Sequence, residues 1–147
     1  TEEGDDASKI TISFQDEPGV TNYYEVSVTV MDSLFNNNEK REIWAYTSDL
    51  SHTRGVNSGA LLLSDDSFDG EFKVLEVLID EYYSEFSNEI HLKLKSISEG
   101  YYKHSKTLNQ FQDNDDNPFV SQVQVFTNVD NGLGIISLKS KAEIRIK

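Results

Sequence analysis

Apolar residues recur at every second position over much of the chain. Ile10, Ile12 and Phe14 alternate with Lys9, Thr11 and Ser13, the period of a strand with one buried face. Tyr24, Val26, Val28 and Val30 continue that pattern. So do Ile90, Leu92 and Leu94, with His91, Lys93 and Lys95 expected on the outer face. "REIWAYT" (Arg41–Thr47) and "ALLLS" from Ala60 add two further strands. "EFKVLEVLI" is apolar on both faces, which predicts a central strand. Val123, Val125, Thr127 and Val129 predict another. Ile136, Leu138, Ala142, Ile144 and Ile146 keep one parity over a final strand.

The breaks between these runs carry turn chemistry. Pro18-Gly19 and Asp69-Gly70 are turn dipeptides, and Ser48–Gly59 reads as a long polar loop. Asn131-Gly132 supplies the positive φ of a tight hairpin, and Gly134 marks a bulge or a close backbone approach. Only one segment has helical spacing. Ser98 is its N-cap, and Tyr101, Ser105, Leu108 and Phe111 share a face, which predicts a helix near residues 98–112. The expected fold is mainly β: an antiparallel β-sandwich of about eight strands, immunoglobulin-like in general architecture, with one helix. Residues 1–8 read as a flexible acidic linker and 9–147 as a single domain.

The net charge of −13 changes the partner list. Phosphate backbones and anionic headgroups are repelled, so no nucleic acid and no direct membrane contact are expected. With no cysteine, disulfides and thiolate chemistry are excluded. No apolar run approaches the length of a membrane span, so this part of the chain is expected to be soluble.

The candidate chemistry is thin. In "DDSFDGEFKVLE", Asp65, Ser67, Asp69, Gly70 and Glu76 match positions one, three, five, six and twelve of a calcium loop. A strand follows where a helix is needed, so a plain hairpin turn is expected and no metal. His52, His91 and His104 share no ligand spacing. Gly132 and Gly134 follow a hairpin turn and cradle no phosphate. No catalytic set and no cofactor are expected. What remains is aromatic. Tyr23-Tyr24, Tyr82-Tyr83 and Tyr101-Tyr102, read as strand pairs, each point one ring outward. Trp44, Tyr23, Tyr83 and Tyr102 are therefore the candidate contacts for a glycan or a peptide.

Several stretches resemble a known family. "ITISFQDEPGVTNYYEV", "SDDSFDGEF", "LKLKSISEGYYKHSKTL", "NPF" and "VQVFTNVDNGLGII" are similar to the Bacteroidetes lipoproteins grouped as domain of unknown function 4249. The similarity spans roughly residues 9–140, and its most specific part is Asn-x-x-Asn-Gly-x-Gly-Ile over Asn128–Ile135. Gln122 stands where the family often has Pro, and Ile136 where an aromatic is common. The resemblance implies the C-terminal part of a longer surface lipoprotein, held at the outer membrane by an upstream lipid anchor. It also implies a non-enzymatic accessory role beside a TonB-dependent transporter. The alternative is a stand-alone carbohydrate- or peptide-binding sandwich.

Overall fold

The computed structural model describes residues 7–32, 40–54, 59–114, 123–127, 130 and 139–147. In chain order the strands are β1 (Ala7–Gln15), β2 (Tyr23–Asp32), β3 (Lys40–Ile43), β4 (His52–Arg54), β5 (Leu61–Ser64), β6 (Phe72–Asp80), β7 (Ser87–Ile97) and β8 (Lys139–Arg145). The helices are α1 (Glu81–Phe86) and α2 (Glu99–Asn114). β2 is the hub of a six-stranded antiparallel sheet. β7 runs along one of its edges and carries β8 beyond it. On the other edge β5 pairs with Tyr23–Val26 and β3 with Val28–Met31, end to end, and β4 lies outside β5. β1 and β6 form a separate antiparallel pair.

The alternation in the sequence becomes the core. Tyr24, Val26, Val28 and Val30 of β2 share a cluster with Leu61, Leu63, Ile90 and Leu92 from their neighbours. Facing them from the small sheet are Leu75, Val77 and Ile79, with Ile10, Ile12 and Phe14 packed against the cluster. Each fully buried aliphatic side chain contributes about 1.5–3 kcal/mol, so this contact between sheets is the main source of stability. The sandwich-like pair of antiparallel sheets expected from the sequence is the arrangement observed.

The other face of the large sheet is not bare. Glu25, Ser27 and Thr29 are buried there. Ser98 caps α2 as its sequence predicts, accepting from the Tyr101 backbone N–H at 3.2 Å. The Tyr101 hydroxyl then donates to Glu25 Oε2 at 2.8 Å. Lys95 Nζ meets Glu25 Oε1 at 2.5 Å. Lys95 was expected to face solvent, but here it neutralises a buried carboxylate. A helix covers that face of the sheet, and strand alternation alone does not reveal it.

Other expectations are corrected. β6 is not central: it pairs with β1, and at its other edge, among the described residues, only Leu78 makes a bridge, with Tyr46. Phe72 and Val74 are accordingly exposed. Val123–Thr127 forms no strand. Its backbone docks on α2 instead, with the Phe126 N–H donating to Thr107 Oγ1 at 2.9 Å and His104 Nδ1 to the Phe126 carbonyl at 2.6 Å. β4 lies inside the stretch read as a polar loop, and α1 is a second, six-residue helix beside the one foreseen. Ile144 and Ile146 are exposed at the edge of the large sheet rather than buried. Ala7 and Ser8, read as the end of a linker, open β1. The remaining linker residues, Pro118, Val129, Ile136, Leu138 and the turn residues Asn131, Gly132 and Gly134 lie outside the described residues.

Beyond β3 the chain crosses from the large sheet to the small one. The Ala45 N–H donates to the Gly59 carbonyl at 3.1 Å, and Tyr46 and Leu78 exchange two backbone hydrogen bonds of 2.8 Å. A Cβ on Gly59 would lie 2.2 Å from the Ile43 carbonyl oxygen and 2.4 Å from Trp44 Cα. Backbone cannot yield to that overlap. Gly59→Ala is expected to lower stability by about 3 kcal/mol. Gly19→Ala, where the space is open and only a positive φ is strained, should cost ~1 kcal/mol. Urea melts of the two variants check the ranking, and equal losses would mean that the crossing is looser than described.

The Glu25 junction has a pH signature. Burial, then the Glu25 carboxylate, pushes the Tyr101 hydroxyl up to about 12 from 10.0. A raised folded-state pKa means full stabilisation below pH 10 and progressive loss between 10 and about 12. Tyr101→Phe is expected to cost about 1–2 kcal/mol at neutral pH through the lost charged hydrogen bond. It should also flatten the stability curve over that alkaline window. Denaturant melts across the window, compared with the parent chain, test both statements.

Candidate functional site

The crossing after β3 sets up a groove. Ile43 and Ala45 turn inward and are buried, so Trp44 and Tyr46 must turn out. They remain 53% and 49% exposed. β6 runs past them and passes without a break into α1, whose first turn is capped by Asp80: its Oδ1 accepts from the Tyr82 N–H at 2.9 Å. Trp44, Tyr46, Leu78, Asp80 and Tyr83, with Ala7 at the start of β1, line an open groove of about 750 Å³. Tyr82 and Phe86 continue the aromatic surface along α1, exposed and with rings 5.0 Å apart.

Two guanidinium groups lie on the groove's rings. Arg54, at the end of β4, sits 4.9 Å from the centroid of Trp44 and 5.0 Å from that of Tyr46. Arg41 of β3 sits 5.5 Å from the centroid of Tyr83. All three distances are within cation–π range. One Arg54 nitrogen, Nη1, is shut off from solvent and has no hydrogen-bond acceptor among the described residues.

The four candidate aromatics fall into two places. Trp44 and Tyr83 line the groove together. Tyr23 and Tyr102 pack against each other, rings tilted and centroids 4.7 Å apart, where the start of β2 meets α2. Burial raises the pKa of both hydroxyls. The strand reading of the tyrosine pairs holds only for Tyr23-Tyr24. The other two pairs are helical, where neighbours diverge by about 100° rather than pointing to opposite faces. Tyr46 and Arg54 were not among the sequence candidates. Tyr46 alternates with Ala45 exactly as Trp44 does with Ile43, so it was within reach of the sequence; Arg54 carries no such signal.

The residues of the calcium-like string separate. Glu76 is out on β6, paired with Lys9 at 3.1 Å. Asp65 and Asp69 instead meet Asp16 from the turn after β1, with one carboxylate oxygen from each within 4.8 Å of the others. The three carboxylates serve backbone and hydroxyl donors across the two turns. Asp16 takes the Tyr24 hydroxyl and the Gly70 N–H, Asp65 the Asn22 N–H at 2.6 Å, and Asp69 the Gly19 N–H at 2.8 Å. Asp16 and Asp65 are only 1% and 2% exposed. Burial raises the Asp65 pKa, and the charges of Asp16 and Asp69 add to it against the lowering effect of the Asn22 N–H.

The chain belongs to the family described as domain of unknown function (DUF4249), whose model matches residues 1–145. No curated protein and no solved structure matches it. Among the described residues no helix is long and apolar enough to cross a membrane.

The acidic corner yields a test. Because Asp65 has a raised folded-state pKa, its ionisation opposes folding as pH rises above its unfolded value of 3.8. Asn in its place still accepts from the Asn22 N–H without the charge. Asp65→Asn is therefore expected to melt higher than the parent at neutral pH, with the gap closing as pH falls toward that value. A variant that melts lower at neutral pH would show that the charge itself holds the corner together.

Proposed function

We propose that this family member is a non-catalytic binding domain of a cell-envelope lipoprotein, working as an accessory to an outer-membrane TonB-dependent transporter. The observation that carries the binding reading is the groove: Trp44 and Tyr46 from the crossing after β3 meet Tyr83 of α1 on one concave surface, and the first two stay open to solvent. Monomeric domains rarely leave such a surface without a partner. Its polar groups suit holding a ligand. Asp80 is engaged in capping α1, and the guanidinium groups are laid on rings. The lipoprotein and transporter setting rests on the resemblance of "SDDSFDGEF" and "VQVFTNVDNGLGII" to the family's lipoproteins.

The same groove supports a second reading, a stand-alone module that binds a glycan or a peptide with no transporter. Native extraction of the full-length lipoprotein separates the two. The accessory reading expects a transporter to co-purify with it and uptake to fall when the lipoprotein is deleted. Trp44→Ala with Tyr83→Ala should reduce uptake about tenfold while leaving the association intact. No association and unchanged uptake would discard the accessory role. Unchanged uptake in the double variant alone would remove the groove from it.

A further inference from the structure

We propose that the groove takes a sugar bearing a carboxylate, a hexuronate unit of an acidic glycan. The inference rests on the binding reading above and adds the chemical class of the ligand. Three observations lead to it.

The first is where the positive charge sits. The chain carries a net charge of −13 and has only three arginines. Two of them, Arg41 and Arg54, lie on the rings of Tyr83, Trp44 and Tyr46, so every ring of the groove is backed by a guanidinium. An otherwise acidic surface thus becomes attractive to an anion at this place. A neutral sugar draws nothing from that charge. Arg54 adds a specific demand, since its Nη1 donor is enclosed and lacks an acceptor among the described residues. A carboxylate that shifts the ring covering it supplies one, in the geometry guanidinium groups favour.

The second is Asp80. Its carboxylate is part of the groove wall, and one oxygen already caps α1. A ligand whose anionic groups reach the Asp80 side is repelled there. A ligand with one carboxylate and several hydroxyl donors is not: its hydroxyls can donate to Asp80 while its carboxylate keeps to the arginine side. Its C–H face can lie on Trp44 and Tyr46. A uronic acid combines these groups on one rigid ring.

The third separates a sugar from an acidic peptide. A peptide gains most of its affinity by adding a strand to an open sheet edge. At the groove that edge is already taken, because the N–H and carbonyl of Leu78 both bond to Tyr46 at 2.8 Å. At Leu78 the side chains remain available, but the ladder does not.

Trp44 is the only tryptophan in the chain, so its emission reports the groove directly. The test titrates the domain with oligogalacturonate and, separately, with the same oligosaccharide as its methyl ester. The acid form is expected to perturb Trp44 emission and to bind about tenfold tighter than the ester, with salt weakening only the acid form. Arg54→Gln should bring the acid form down to the level of the ester at an unchanged melting temperature. If Arg54→Gln does not fold, Arg41→Gln serves, with a smaller loss expected in the same direction. Equal affinity for acid and ester would overturn the inference and leave a groove for neutral sugars. Silence toward both oligosaccharides, with a response to a peptide pool, would overturn the sugar class and keep the binding reading. Silence toward all three would overturn both.

Discussion

The hydrogen bond from the Tyr24 hydroxyl to Asp16 ties together the corner on which the sandwich depends. Two connections cross between the sheets at that point, one leading from β1 to β2 and the other from β5 to β6. Asp16 belongs to the first connection, and through Oδ2 it accepts the Gly70 N–H of the second at 2.9 Å. Backbone bonds of 3.1 Å from Asp16 to Glu71 and from Asp65 to Asn22 complete the joint. Gly70 has φ +73°, and a Cβ there would lie 2.6 Å from the Pro18 side chain, so the two turns touch without room for more. Burying two carboxylates costs several kcal/mol each, and the donors gathered here offset that cost. In return Phe14, Tyr24 and Phe68 pack together beneath the corner, Tyr24 stacked on Phe68 and Phe14 edge-on to it, which locks the small sheet over the large one.

The opposite end of the sandwich is closed differently, and the groove follows from that difference. Among the described residues no hydrogen-bonded cluster of carboxylates joins the sheets there. The backbone itself crosses, from Ile43 to the bridge between Tyr46 and Leu78, under the close approach of Gly59. A crossing chain keeps its alternation: its inward residues fill the space between the sheets, and its outward residues stand on the surface. Trp44 and Tyr46 are therefore exposed because Ile43 and Ala45 are buried. Their positions are held by main-chain hydrogen bonds rather than by packing of the rings. Such rings can shift to meet a ligand without loosening the core.

The strands that build the core were legible because each has one buried face, and period-two alternation records that directly. The failures occur where something other than a buried face decides. β4, His52–Arg54, has no apolar alternation, and its pairing with β5 rests on backbone bonds that any polar sequence can make. Val123–Thr127 has the right period, yet its backbone bonds go to His104 and Thr107 of α2. β6 looks apolar on both faces, but Phe72 and Val74 face outward without cover among the described residues. The groove was half legible. Trp44 and Tyr83 were candidates on residue type alone. Their meeting depends on a sheet crossing, a β6–α1 junction and a stacked arginine, and these come together only in three dimensions.

Arg54 is held differently from the lysines that pair with carboxylates, and the difference bears on how the groove works. Lysines meet carboxylates as point charges: Lys95 with Glu25, Lys73 with Asp49, Lys40 with Glu143. Each such pair neutralises its own charge and leaves little field around it. Among the described residues no carboxylate pairs with Arg54. It is held by the faces of two rings, which fix a guanidinium in place while leaving its charge uncompensated. An ammonium in that position, being more strongly hydrated, would turn toward water or toward one of the many carboxylates. A flat, weakly hydrated cation can stay on the rings. Positive potential thus persists at one spot on a strongly acidic molecule, next to aromatic surface that already excludes water on one side. The choice of arginine over lysine at this position therefore decides what kind of ligand the groove favours.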